Sequence, residues 1–134
     1  MSENVEAVRR VMDAINRGEF DAAVANFSET FELDFSNSRG PMSGIYRGRG
    51  EAKDFLTSFW EPWESVKFDP HEEIRELENG LVLTVNAVRG RGSGSGAEVT
   101  AVGATLWTIR SGKILAAKLY QSKDEALEAA SAER

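Results

Sequence analysis

The chain has 134 residues, a length that suits one ordinary domain, read as a single unit over residues 1–134, with enough buried surface to fold without a metal or a disulfide. Its 41% hydrophobic and 28% charged content is that of a globular protein. It has no cysteine and one histidine, which excludes thiolate chemistry, disulfides, cysteine-ligated metals and a multi-histidine metal site within one chain, so no metal and no cofactor is expected. The net charge of −6 argues against nucleic acid and against anionic membranes as partners.

The chain opens without a basic start, an apolar run or any stretch of membrane-spanning length, so the expected location is the cytoplasm. Ser2 can cap a first helix, in which Val5, Val8, Met12 and Ile15 fall on one face. Gly18 stops it. A short second helix carries Phe20, Val24 and Phe27 on one side. From Phe31 to Phe35 apolar residues alternate with charged ones, which predicts a half-buried strand. A turn-rich segment from Asn37 to Gly44, with Gly40-Pro41 inside it, leads to a short strand at Ile45–Arg47. A third helix follows, with Ala52, Phe55, Leu56, Phe59 and Trp60 inward, and Pro62 ends it.

The remainder reads as strands: Val66–Leu77, with a bulge expected at Pro70, then Leu81–Arg89, Val99–Arg110 and Ile114–Gln121. Glu78-Asn79-Gly80 is a hairpin turn, Gly90–Gly96 a flexible loop, and Ser111-Gly112 the last connection. Ser122 and Glu125 form a capping-box pattern for a terminal helix reaching Ala130. Helices gathered ahead of a long antiparallel meander give an α+β fold, a curved sheet with helices closing its concave side.

This order resembles the NTF2-like superfamily and its SnoaL-like branch. The residues that carry the resemblance are Ala14–Gly18, Asp21–Phe27, Tyr46-Arg47-Gly48, Leu106–Ile109, Gly112-Lys113-Ile114, Tyr120 and Ala126–Ala129. It implies a cone with an internal pocket, and a fold that serves isomerases, cyclases, dehydratases, hydrolases, carriers and dimerisation modules alike.

The chemistries implied by the resemblance are not matched residue for residue. Ketosteroid isomerases of the superfamily use a carboxylate base, a tyrosine and a protonated carboxyl group. Counted onto this chain, those positions fall at Phe35, Val11 and near Thr105. The cyclases place an aspartate late in the last strand, yet Lys113–Ser122 holds no acid. The epoxide-hydrolase branch needs two aspartates and an arginine on the middle and last strands, yet Val99–Ile109 has no Asp, Glu or Arg.

Four residues remain as candidates for proton transfer: Asp34, Tyr46, His71 and Tyr120. If Phe31, Leu33 and Phe35 share the buried face, Asp34 turns outward; its other reading is a general base at the pocket mouth. His71 lies among Asp69, Glu72 and Glu73, a setting typical of a surface group.

The candidate ligand-binding residues are Phe35, Phe59, Trp60, Trp63, Asn86, Gly103, Thr105, Trp107 and Gln121. Trp60 and Trp63 flank Pro62 and read either as core or as a gate. Strand alternation puts Ala101, Gly103, Thr105 and Trp107 on one face and Ala117, Leu119 and Gln121 on another, small residues that leave room where a core would be filled. For Thr84 and Asn86 the inward face stays open. On the opposite face Val102, Ala104, Leu106, Ile114 and Ala116 form an apolar surface. The resemblance adds that such sheets often pair as homodimers through the open face. Arg47, Arg49, Arg89 and Arg91 are candidates for a basic cluster. The expected function is a pocket for a small hydrophobic or aromatic ligand. Two alternatives stand beside it: a cyclase, isomerase or dehydratase with a non-standard acid or base, and an interaction module with a filled cone.

Overall fold

A computed structural model of the chain describes residues 3–38, 42–70, 72–92, 94 and 96–132. The Ser2 cap, the Gly40-Pro41 turn and the His71 candidate lie outside them. The elements run α1 (Glu3–Asn16), α2 (Phe20–Val24), β1 (Phe27–Asp34), β2 (Ile45–Arg47), α3 (Gly48–Trp60), β3 (Trp63–Pro70), β4 (Arg75–Glu76), β5 (Leu81–Gly92), β6 (Glu98–Arg110), β7 (Lys113–Tyr120) and α4 (Lys123–Ala132).

The strands form one mixed sheet in the order β2-β1-β7-β6-β5-β3, with β4 also on β5. β1 and β7 run parallel and every other pair antiparallel, and the sheet stays open at β2 and β3. This is the expected α+β cone: a curved sheet wrapped around the N-terminal helices.

The physical reason for two layers is that both sheet faces carry apolar residues. Inward, Val8, Met12 and Ile15 of α1, Ala23 and Val24 of α2, and Ala52, Phe55 and Leu56 of α3 pack on Phe31, Val82, Trp107, Ile109 and Ala117. Outward, Leu81, Leu83, Val85, Ala104 and Leu106 are covered by Ala126 and Ala130 of α4. Ser122 caps that helix, its Oγ accepting from the Glu125 N–H at 3.2 Å.

Several expectations change in detail. Phe27 opens β1 instead of closing the second helix, and it stacks on Phe31 with ring centroids 4.0 Å apart. Four residues apart, both rings face the core, and the register against β7 shifts between Phe27 and Glu32. The strand expected over Val66–Leu77 is two, β3 and β4, broken after Pro70. β5 runs on to Gly92 and β6 begins at Glu98, so both strands extend into the segment expected as a loop.

Ile114, expected on the outer face, is fully buried in the inner core, because the ladder slips between Thr108 and Ile109. Ala104 and Leu106, expected at a free surface, lie beneath α4. Asn16, at the end of α1, clamps the open edge of the sheet. Its Nδ2 donates to the Phe68 carbonyl at 3.0 Å and its Oδ1 accepts from the Phe68 N–H at 2.9 Å.

Candidate functional site

The concave face of the sheet does not fill completely. Between it, α1 and α3 lies a cavity of about 130 Å³. Each wall follows from local structure. The helical spacing of α1 brings in Met12 and Ile15, and that of α3 brings in Ala52, Phe55, Leu56 and Phe59. The pleat of β1 presents Phe27, Phe31 and Leu33, with Phe35 just beyond its end. β3 adds Phe68, and β5 adds Asn86 and Val88. β6 contributes Gly103, Thr105 and Trp107, and β7 contributes Ala117 and Leu119.

The pairing explains these choices. Thr84 faces Thr105, Asn86 faces Gly103, Trp107 faces Ala117 and Thr105 faces Leu119, and residues directly opposite in antiparallel strands share a face. The open question over β5 is thereby decided: Thr84 and Asn86 both point inward. Thr84 is buried and its Oγ1 accepts from the Trp107 Nε1–H at 3.0 Å, which fixes the indole in the wall.

The wall is almost wholly carbon. Six phenylalanines and Trp107 dominate it, and among the described residues no ionisable side chain lines it. Phe35 and Phe59 both lean on Phe55, with ring centroids 4.9 Å and 5.9 Å away. Among the described residues no group of three His, Cys, Asp or Glu side chains is placed to hold a metal.

Of the residues singled out from sequence, Phe35, Phe59, Asn86, Gly103, Thr105 and Trp107 line the cavity. Trp60, Trp63 and Gln121 do not. Trp60 turns toward Phe20 and Phe68, with ring centroids 5.3 Å from each. Trp63 lies flat against Gly90, where a Cβ would stand 2.7 Å from its ring, so this glycine is a close-approach position. Gln121 falls past the end of β7 and its Nε2 donates to the Asn37 carbonyl.

The described proton-transfer candidates also lie off the cavity. Asp34 is on the outer face beside Lys118, its strand neighbour, with Nζ 3.7 Å away. Its side chain is 16% exposed. Burial is the strongest single influence and pulls its pKa up. The Ser36 hydroxyl, the Ser36 N–H and the Lys118 ammonium together outweigh it, so the carboxyl titrates below its ordinary value. Such a carboxylate is a poor proton acceptor near neutral pH. The Tyr46 hydroxyl donates to the Met42 carbonyl at 2.7 Å. Tyr120 packs in the outer core with the Lys118 ammonium 5.5 Å from its ring centre.

The four arginines do not cluster. Arg47 and Arg49 pair with Glu32 and Glu29 at one end of the sheet, and Arg89 and Arg91 pair with Asp69 and Glu98 at the other. The start of α3 holds no open anion site either: Glu51 Oε1 accepts from the Arg47 N–H at 2.8 Å and brings its own negative charge there.

A cone of this topology with an apolar interior defines an NTF2-like protein. The chain matches the SnoaL-like domain over residues 8–117 and belongs to that family. Among solved structures it is similar to TerC crystallised with polyporic acid, at 18% identity over 95% of this chain and 97% of that one, with a TM-score of 0.76. It is also similar to an NTF2-like protein of unknown function from Burkholderia pseudomallei, at 18% identity, 96% and 97% coverage and a TM-score of 0.77. A putative polyketide cyclase from Xanthomonas campestris aligns at 21% identity, 94% and 95% coverage and a TM-score of 0.73. At these identities the likeness establishes the fold. No functionally curated protein matches the sequence.

Twelve lining residues were not assigned to the site from sequence; nine of them, such as Phe31, Phe55 and Ala117, were read only as inward-facing, and Phe27, Phe68 and Val88 were not placed on an inward strand face at all. Phe68 and Val88 are partners across β3 and β5, and the alternation of Val66 with Phe68 was the available signal. Phe27 was hidden because its spacing from Phe20 and Val24 also fits a helix.

Proposed function

We propose that this chain, as one domain, binds a compact, largely apolar small molecule in the cavity of its cone. The observation that carries the reading is the wall itself. A domain core is normally packed to crystal-like density, and aromatic side chains fill space well. Here small residues, Ala52, Gly103 and Ala117, face large rings across a space that stays open. The co-crystal of the structurally similar TerC with polyporic acid supports a ligand in a fold of this type. Binding requires no acid or base in the wall, and none lines it among the described residues.

The test is ligand-observed NMR on the intact chain with a set of compact aromatic and alicyclic fragments. Saturation transfer to some of them, lost in an Ala117→Leu variant that remains folded, is expected. No transfer to any fragment would refute the reading.

A second reading concerns assembly, and a specific observation favours it. Val102 of β6, on the outer face with Ala104 and Leu106, is 51% exposed, outside the cluster that α4 covers. We infer that two copies of the chain meet over this uncovered part of the sheet. Light scattering after size exclusion should give twice the chain mass, and Val102→Asp should return the monomer. A monomeric native chain at micromolar concentration would reject it.

A further inference from the structure

Three polar side chains interrupt the carbon wall, and they are not equivalent. The indole N–H of Trp107 is engaged by Thr84. The carboxamide of Asn86 and the hydroxyl of Thr105 make no side-chain hydrogen bond with any described residue. Neither is sealed away, because no buried side-chain nitrogen or oxygen lacks a partner among the described residues. Their polar atoms therefore open onto accessible space, and both residues line the cavity.

The sheet register brings the two together. Asn86 stands opposite Gly103 and Thr105 opposite Thr84, so Asn86 and Thr105 are diagonal neighbours on one face. Such neighbours lie about 7–8 Å apart, a gap that one small polar substituent can bridge. Gly103 has no side chain to fill the space between them. Both groups can donate and accept, and both are neutral.

Two further facts narrow the class of ligand. Among the described residues no charged side chain lines the cavity, so an ionised ligand would lose its hydration with no described charge to replace it. The volume, about 130 Å³, is close to that of a protein cavity of about 150 Å³ known to accept a single benzene ring.

We propose that the ligand is a neutral single-ring compound with one hydroxyl or carbonyl group. The ring lies against the phenylalanines and Trp107, and the polar group is held between Asn86 and Thr105. This inference rests on the binding reading above and deepens it by naming what the pocket selects.

The test is calorimetric or NMR titration of the intact chain with phenol, cyclohexanone, toluene, benzoate and tetramethylammonium. Phenol and toluene are nearly equal in size, so their ratio reports the polar contact net of the hydroxyl's lost hydration. The expected result is roughly tenfold tighter binding of phenol than of toluene, the scale of one or two neutral hydrogen bonds. Cyclohexanone should bind too, and the two ions should not. In an Asn86→Leu, Thr105→Val double variant the preference should vanish while toluene binding persists. Toluene equal to or tighter than phenol in the native chain overturns the inference and leaves the pocket in place. A preference for benzoate or tetramethylammonium overturns it as well. No binding by any probe, toluene included, means that the pocket reading itself has failed. The native chain's order of preference decides the matter even if the double variant does not fold.

Discussion

Replacing Gly103 by alanine tests whether the cavity is real space held open at a cost in stability. Gly103 lies within β6 with its φ outside the left-handed region, so its backbone does not require glycine. A Cβ there would meet Leu119 Cδ1 and the Tyr120 carbonyl at 3.5 Å, ordinary contact distance. The methyl would point into the cavity beside Asn86. Removing the backbone freedom of an unfolded glycine contributes about 0.5–1 kcal/mol. Partial burial of one methyl adds up to about 0.8 kcal/mol.

Together these stabilise the folded state by about 1–2 kcal/mol. With an unfolding entropy of about 2.1 cal/mol/K per residue over 134 residues, each kcal/mol shifts Tm by about 3.6 °C. Differential scanning calorimetry should therefore show Tm rising by about 4–7 °C in Gly103→Ala. Fragment affinity should fall in the same variant. Stability and binding moving in opposite directions is the signature of space kept empty for a ligand. An unchanged or lower Tm would mean that the methyl has no room, and the argument for the cavity at this position would be lost.

Thr84→Val keeps the shape of a fully buried side chain but leaves the Trp107 N–H without its acceptor. Urea unfolding should show a loss of about 1–3 kcal/mol, much reduced when the same change is made in a Trp107→Phe background. Asn16→Ala removes both hydrogen bonds that tie α1 to the Phe68 backbone. It should cost about 1–2 kcal/mol in the same assay, and faster amide exchange should be confined largely to β3. Asp34 titrates below its ordinary value of 3.8, so its stabilising contribution is fully present above that pH and is lost as pH falls through the lower folded-state value. Asp34→Asn should accordingly be less stable than the native chain at pH 7. That difference should close in strong acid, and a difference independent of pH would contradict the assignment.

How much of this was legible in the sequence depends on how local each determinant is. The alternation Phe31, Leu33, Phe35 placed three cavity residues correctly and turned Asp34 outward, because a strand's pleat has a fixed period of two. The same rule placed Gly103, Thr105 and Trp107 together, and Ala117 with Leu119. It failed for Gln121 because the strand ends at Tyr120, and for Ile114 because the register slips beside it. A parity argument does not survive a bulge or a strand end. Trp60 and Trp63 were harder still. Nothing local shows that Phe20 and Phe68 draw one ring aside, or that Gly90, far along the chain, supplies the flat surface for the other. The face of Asn86 waited on the pairing of β5 with β6, a non-local fact.

The cone also explains why the three described titratable candidates, Asp34, Tyr46 and Tyr120, were weak guides. In a sheet with both faces covered, ionisable residues collect at the rim and on the outer surface, where water or a partner charge can meet them. Asp34 has Lys118, and Arg89 and Arg91 have Asp69 and Glu98. The interior is left to groups that bear burial without charge. Within that constraint, a chain that needed only a dry core would gain by placing a second methyl-bearing residue at 103 and an aliphatic one at 86. Asn86 and Thr105 instead set two polar groups, open to accessible space, in a wall of phenylalanine. On the binding reading proposed above, the pair, more than the rings around it, is the feature that would select the ligand.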